Sequence, residues 1–165
     1  MDAPAPPPAD RYINRELSQF EFNKRVLAQA LDPSVPLLER LRFLCITCTN
    51  LDEFFEIRVA ALKQRIEIGA TTVGPEKLPA QQVFDSLRHS MLGVVKQQYE
   101  LLNDVLFPEL AKAGVRFVHS EDWTPEQQEW LRTYFMEQVV PVLTPLTFDP
   151  SRPFPRILNK SLNFI

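Results

Sequence analysis

The chain has 165 residues, 45% hydrophobic and 24% charged, enough to bury a core without disulfides or a structural metal. Its formal charge of −3 and pI near 5.5 exclude a chain that holds nucleic acid or another long polyanion by overall electrostatics. Four glycines, at 69, 74, 93 and 114, exclude a Walker loop and a GxGxxG fingerprint, and no apolar run reaches the length of a membrane span.

The first ten residues, MDAPAPPPAD, lack the regions of a signal peptide and read as a proline-rich, disordered tail (1–10) on a soluble, cytoplasmic protein. Ser18-Gln-Phe-Glu21 then matches a capping box, with Phe20, Phe22, Val26, Leu27, Ala30 and Leu31 on one apolar arc. A first helix is expected there, ending at Asp32-Pro33, because the residue before proline resists the helical conformation. Pro36 suits the first turn of a second helix. Its apolar stripe is Leu37, Leu41, Leu44, Cys48, Leu51, Phe55, Leu62 and Ile66, interrupted by Arg58. The phase survives "TCTN", so one long helix, at most kinked at Thr47 to Asn50, is expected.

After a loop over Gly69 to Pro79, a third helix is expected from about Pro79 to Ala113, with Val83, Leu87, Met91, Val94, Leu101, Val105 and Leu110 inward. Pro108 should kink its last turns and Gly114 should end it. Beyond it, Val115-Arg-Phe-Val118 alternates like a short strand, Thr124-Pro-Glu-Gln opens another helix, and Leu162 to Ile165 looks like the start of a second strand. The fold class is therefore mainly α: an antiparallel bundle of long helices followed by the start of an α+β domain, the bundle over 11–113 and the truncated second domain over 114–165.

Few residues offer chemistry. Cys45 and Cys48 lack a second ligand pair and read as reduced core residues, and His89 and His119 are isolated. Asp52, Glu53 and Glu56 fall with Arg42, Lys63 and Glu67 on a solvated polar face, while Arg40, Arg42, Arg58, Lys63 and Arg65 are spread around the second helix. No metal site emerges. Asn50 stands apart, because Phe43, Ile46, Asn50, Phe54, Ile57 and Ala61 form a second apolar stripe with the amide at its middle. Left unpaired there, an amide costs on the order of 1 to 3 kcal/mol. Its partner is a backbone carbonyl or neighbouring helix, another domain, or the edge of a purine base, to which an amide offers both donor and acceptor.

The stretch "RYINRELSQFEFNKRVLAQALDPSVPLLERLRFLCITCTNLDEFFEIRVAALKQ", Arg11 to Gln64, resembles the N-terminal region of bacterial polyphosphate kinases, which make long-chain polyphosphate from ATP. The motifs "ELSxxxFNxRVL", "DPSxPLLERLRFL" and "NLDEFFxIRVA" carry the likeness, and "LTPLTFDPSRPFP" with "SLNF" resembles the opening of that family's head domain. One position departs, since Gln19 stands where the family usually has Trp.

The resemblance implies an N-terminal helical domain and the beginning of the head domain of an ATP:polyphosphate phosphotransferase. In such an enzyme the ATP γ-phosphate passes reversibly to polyphosphate through a phosphohistidine. That histidine and the Mg2+ ligands would lie beyond residue 165, so no catalytic residue is expected in this chain, which alone should be inactive. ATP or ADP and polyphosphate would be the ligands of the full-length enzyme, which is expected to self-associate. Asn50, by its place in the NLDEFF motif, would help to bind the adenine of ATP. The alternative is a non-catalytic helical interaction module.

Overall fold

Helix α1 spans Arg15–Leu31 and starts one turn earlier than the Ser18 box suggests. Asn14 is the cap: its side-chain oxygen accepts from the Leu17 amide at 3.0 Å, which satisfies one of the orphan donors of the first turn. Its Nδ2 donates to Glu76 at 2.6 Å, tying the start of α1 to the loop before the third helix. The buried face of α1 is Glu16, Phe20, Asn23, Leu27 and Ala30, so the apolar arc is rotated from the expected one and Phe22 lies outside. Asp32 ends the helix in extended backbone, as the following proline requires. Hydrogen bonding from Ser34, first from its side chain and then from its amide at 2.8 Å, lowers the pKa of the Asp32 carboxyl below the ordinary value.

Helix α2 runs without a break over residues 37–67, through Leu37–Glu53, a π-helical turn at Phe54–Val59, and Ala60–Glu67. The "TCTN" stretch is regular helix. Thr47 and Thr49 turn their hydroxyls back onto the carbonyls of Phe43 and Cys45, at 2.8 and 3.1 Å, each sharing an acceptor of the helix ladder without breaking it. The irregularity falls one turn later, in the π turn. Helix α3 spans residues 80–112, through Ala80–Glu100, a second π turn at Leu101–Leu106, and Phe107–Lys112. That turn directly precedes Pro108, which has no N–H to give to the carbonyl four residues back. Gly114, at φ +89, ends the helix, and the Val115 amide closes onto the Leu110 carbonyl at 2.9 Å in a Schellman arrangement.

The three helices pack antiparallel. Arg40, buried in the first turn of α2, donates to the Ala30 carbonyl at the end of α1 at 3.0 Å and to Glu109 near the end of α3 at 2.8 Å. The core between them is made of Phe20, Leu27 and Ala30 from α1, Leu44, Leu51, Phe54, Val59 and Leu62 from α2, and a seam of α3 from Ala80 to Leu106. Phe20 and Phe54 meet in a tilted pair with centroids 6.2 Å apart.

The structure, a computed structural model, describes residues 8–69, 74–146, 151, 153–154, 156–158 and 161–163; residues 1–7 of the expected tail lie outside these, and Ala9–Arg11 forms a 3-10 turn. It divides into two units, Met1–Phe117 and Val118–Ile165. In the second unit, helix α4 spans Pro125–Tyr134 and opens as the sequence requires, with Thr124 and Gln127 in a complete capping box and Pro125 in the first turn. A π turn at Phe135–Val139 and a 3-10 turn at Val140–Val142 follow it. The expected strand at Val115 to Val118 is not formed, and no strand occurs among the described residues. An alternating tetrapeptide without a partner strand has nothing to take its ladder hydrogen bonds, so its backbone stays irregular. Of the expected strand at Leu162 to Ile165, only residues 162 and 163 are described, and both are irregular.

Candidate functional site

Asn50 sits in regular helix near the middle of α2, with its carbonyl accepting from the Phe54 amide. Its side chain is half-buried and has no hydrogen-bond partner among the described residues. Among the described residues, then, neither an internal carbonyl nor a neighbouring helix partners it. The stripe itself is divided. Phe54 is buried against Phe20, whereas Ile46 and Ile57 are 39% and 55% exposed, so the band around the amide is apolar and partly uncovered. Phe55 lies beside it, edge-on to Phe54 with centroids 6.4 Å apart.

One further amide is short of a partner in the same bundle. Asn23 is 2% exposed, and its Nδ2 finds no acceptor among the described residues. The antiparallel register puts Asn23 of α1 level with the middle of α2, since Phe20 faces Phe54 and Ala30 meets Arg40. The apolar arc expected for α1 leaves out Asn23. The "FN" at 22 and 23 held the clue, because the phase set by Phe20, Leu27 and Ala30 takes in Asn23 and leaves Phe22 in solvent.

The other candidates fall apart into separate settings. Asp52, Glu53, Glu56, Arg42, Lys63 and Glu67 are all exposed, as a solvated face requires. Cys45 and Cys48 are free thiols, yet both are exposed rather than part of the core: the buried line of α2 runs through Leu44, Thr47 and Leu51, between the two stripes. Partial burial, then Cys45 and Asp52 nearby, push the Cys48 thiol above its ordinary pKa, and Gln98 donates to its sulfur at 3.5 Å. His89 and His119 are exposed. Among the described residues, no three His, Cys, Asp or Glu side chains gather in a group able to hold a metal, and no helix is long and apolar enough to cross a membrane.

The basic residues are not spread as the helix alone suggests. Arg40 is a structural ion-pair partner of Glu109. Arg58 and Arg65 meet Arg15 of α1 in a cleft of about 170 Å³ completed by Glu16, Ile57, Ala61 and Leu62. Gln19, at the position where Trp was the expectation from the resemblance, is exposed.

Comparison with known proteins places these features in a family. Residues 12–118 match the polyphosphate kinase N-terminal domain, and residues 126–165 match the polyphosphate kinase middle domain. The chain belongs to the polyphosphate kinase family. It is 49% identical over 153 residues to a polyphosphate kinase of Burkholderia cenocepacia, covering 93% of this chain and 22% of that protein. It is 51% identical over 154 residues to one of Pseudomonas syringae pv. tomato, covering 93% and 21%. The crystal structure of polyphosphate kinase from Porphyromonas gingivalis superposes with a TM-score of 0.64 at 29% identity, over 86% of this chain and 20% of that one. The chain thus spans about a fifth of the length of these relatives.

Proposed function

We propose that residues 11–113 form the N-terminal helical domain, and 114–165 the beginning of the head domain, of an ATP:polyphosphate phosphotransferase. In this reading Asn50 contributes to adenine binding. The observation that carries it is a half-buried amide with no partner among the described residues, set in an apolar band that Ile46 and Ile57 leave partly open. A flat base needs apolar walls and a polar group that fixes its edge. An Asn side chain supplies that group, donating from its nitrogen and accepting at its oxygen. The relatives' name gives polyphosphate as a substrate of this reading, and the family resemblance adds ATP as the phosphoryl donor.

The phosphohistidine and the Mg2+ ligands belong, in this proposal, to the parts of those relatives that the chain does not cover. Mg2+ would offset charge on the transferring phosphoryl group, and the part played by this chain is to hold the base. In the full-length protein, Asn50→Ala is expected to raise the KM for ATP roughly 5- to 30-fold, corresponding to about 1 to 2 kcal/mol for a lost amide pair. The apparent affinity for polyphosphate should stay as it was. An unchanged KM for ATP would return Asn50 to a surface polar group without a ligand.

A further inference from the structure

The buried residues of α2 recur at 40, 44, 47, 51 and 54, then at 59 and 62, so one step is five residues where the others are three or four. The long step coincides with the π turn at Phe54–Val59. In an unbroken α-helix the seam after Phe54 falls on residue 58, which is an arginine. The wider turn lets Val59 take the core position and leaves Arg58 half-buried at the side of the seam. π turns are frequent at functional sites. Here the turn places Arg58 in the lining of a cleft.

That cleft joins the first turn of α1 to the last turns of α2. Arg15, Arg58 and Arg65 line it, over apolar walls from Ile57, Ala61 and Leu62. Glu16 is the only acid in the lining, and it is bound to Arg15 at 3.1 Å. Arg58 and Arg65 pair with no carboxylate among the described residues. Three arginines against one carboxylate leave the lining with an excess of positive charge, and an anion in the recess offsets it. Their planar forks match an oxyanion with several acceptor oxygens better than a point charge does.

We propose that this cleft is an oxyanion site for a small multivalent anion of the phosphate class, distinct from the adenine contact assigned to Asn50. Size sets the class of ligand. At about 170 Å³ the cleft lies well below the roughly 300 to 1,000 Å³ of sites that enclose drug-sized molecules, so a base and sugar do not enter while a phosphate group does. Larger hollows of about 360 and 550 Å³ flank Trp130 on α4, but their linings carry glutamates and no cation.

Calorimetric titration of the 165-residue chain with sodium tripolyphosphate at low ionic strength tests the assignment. Saturable binding is expected at one site per chain, weakened at least five-fold by Arg58→Gln and by Arg65→Gln. Arg88→Gln, on the exposed face of α3, should leave it as it was. Far-UV circular dichroism checks that each variant is folded, and because Arg65 is exposed its variant decides the matter if Arg58→Gln unfolds. No saturable binding, or equal weakening by Arg88→Gln, overturns the proposal, as does binding indifferent to both Arg58→Gln and Arg65→Gln. Displacement of tripolyphosphate by ATP and CTP alike would identify a nucleotide's phosphate tail as the source of the group. Displacement by orthophosphate but by neither nucleotide would identify free phosphate. Asn50→Ala is expected to leave tripolyphosphate binding unchanged, so failure of the adenine reading does not carry this one down with it.

Discussion

At the scale of single residues, the bundle keeps several polar groups inside, and they are not equivalent. Thr47 is fully buried and satisfied by the Phe43 carbonyl, and Arg40 is buried but doubly bonded. Asn23 is neither exposed nor satisfied at its nitrogen. A buried donor with no acceptor destabilises by about 1 to 3 kcal/mol, whereas an apolar side chain of similar size does not. Asn23→Leu is therefore expected to stabilise the chain by about 1 kcal/mol or more, raising Tm by several degrees in a thermal melt. A fall in Tm would mean that the nitrogen has a partner in solution. Asn50 was legible in the sequence as the polar member of an apolar stripe, because periodicity alone marks such a residue. Asn23 was not, because the exposed Phe22 beside it pulled the expected apolar arc to one side.

At the scale of elements, the lengths and ends of the long helices could be read directly, since prolines and Gly114 punctuate them and their apolar residues keep a helical period. The π turns could not. In α2 the expected stripe ran on through Phe55, which is 38% exposed, and in α3 it included Val105 where Leu106 takes the core position. A one-residue insertion looks, on a fixed period of 3.6, like a small drift rather than a feature. The same geometry makes a sharp prediction about deletions. Removing Glu56 from the π turn brings Phe54 and Val59 to a spacing of four and lets α2 continue as regular helix with its core residues in place. Removing Thr49, also exposed, instead rotates Leu51 and Phe54 by roughly 100° relative to Leu44 and Thr47. The first deletion is expected to melt cooperatively within a few degrees of the parent. The second should lose cooperative melting, because it withdraws several large side chains from the core at once. Equal behaviour of the two would show that the π turn is not where the extra residue resides.

At the scale of the whole molecule, the helical unit Met1–Phe117 has its own core, and the second unit, Val118–Ile165, has no buried hydrophobic side chain among its described residues. The expected α+β character rested on two short alternating stretches, and such stretches become strands only with partners to pair with. Phosphoryl transfer is a matter of positioning and charge: a nucleophile aligned with the γ-phosphate, a metal bridging the phosphates, and cations around the transferring group. The two histidines of this chain, His89 and His119, are exposed, and no metal-holding group of side chains surrounds either among the described residues. On the proposed reading, the chain holds a base and a small oxyanion but aligns no nucleophile between them. Incubated with ATP and Mg2+, the purified 165-residue chain is therefore expected to make no polyphosphate above the enzyme-free blank and to retain no label from γ-labelled ATP after denaturation. Polymer formation, or a labelled histidine within these residues, would place the phosphoryl-accepting group in this fifth of the relatives' length and would reassign His89 or His119.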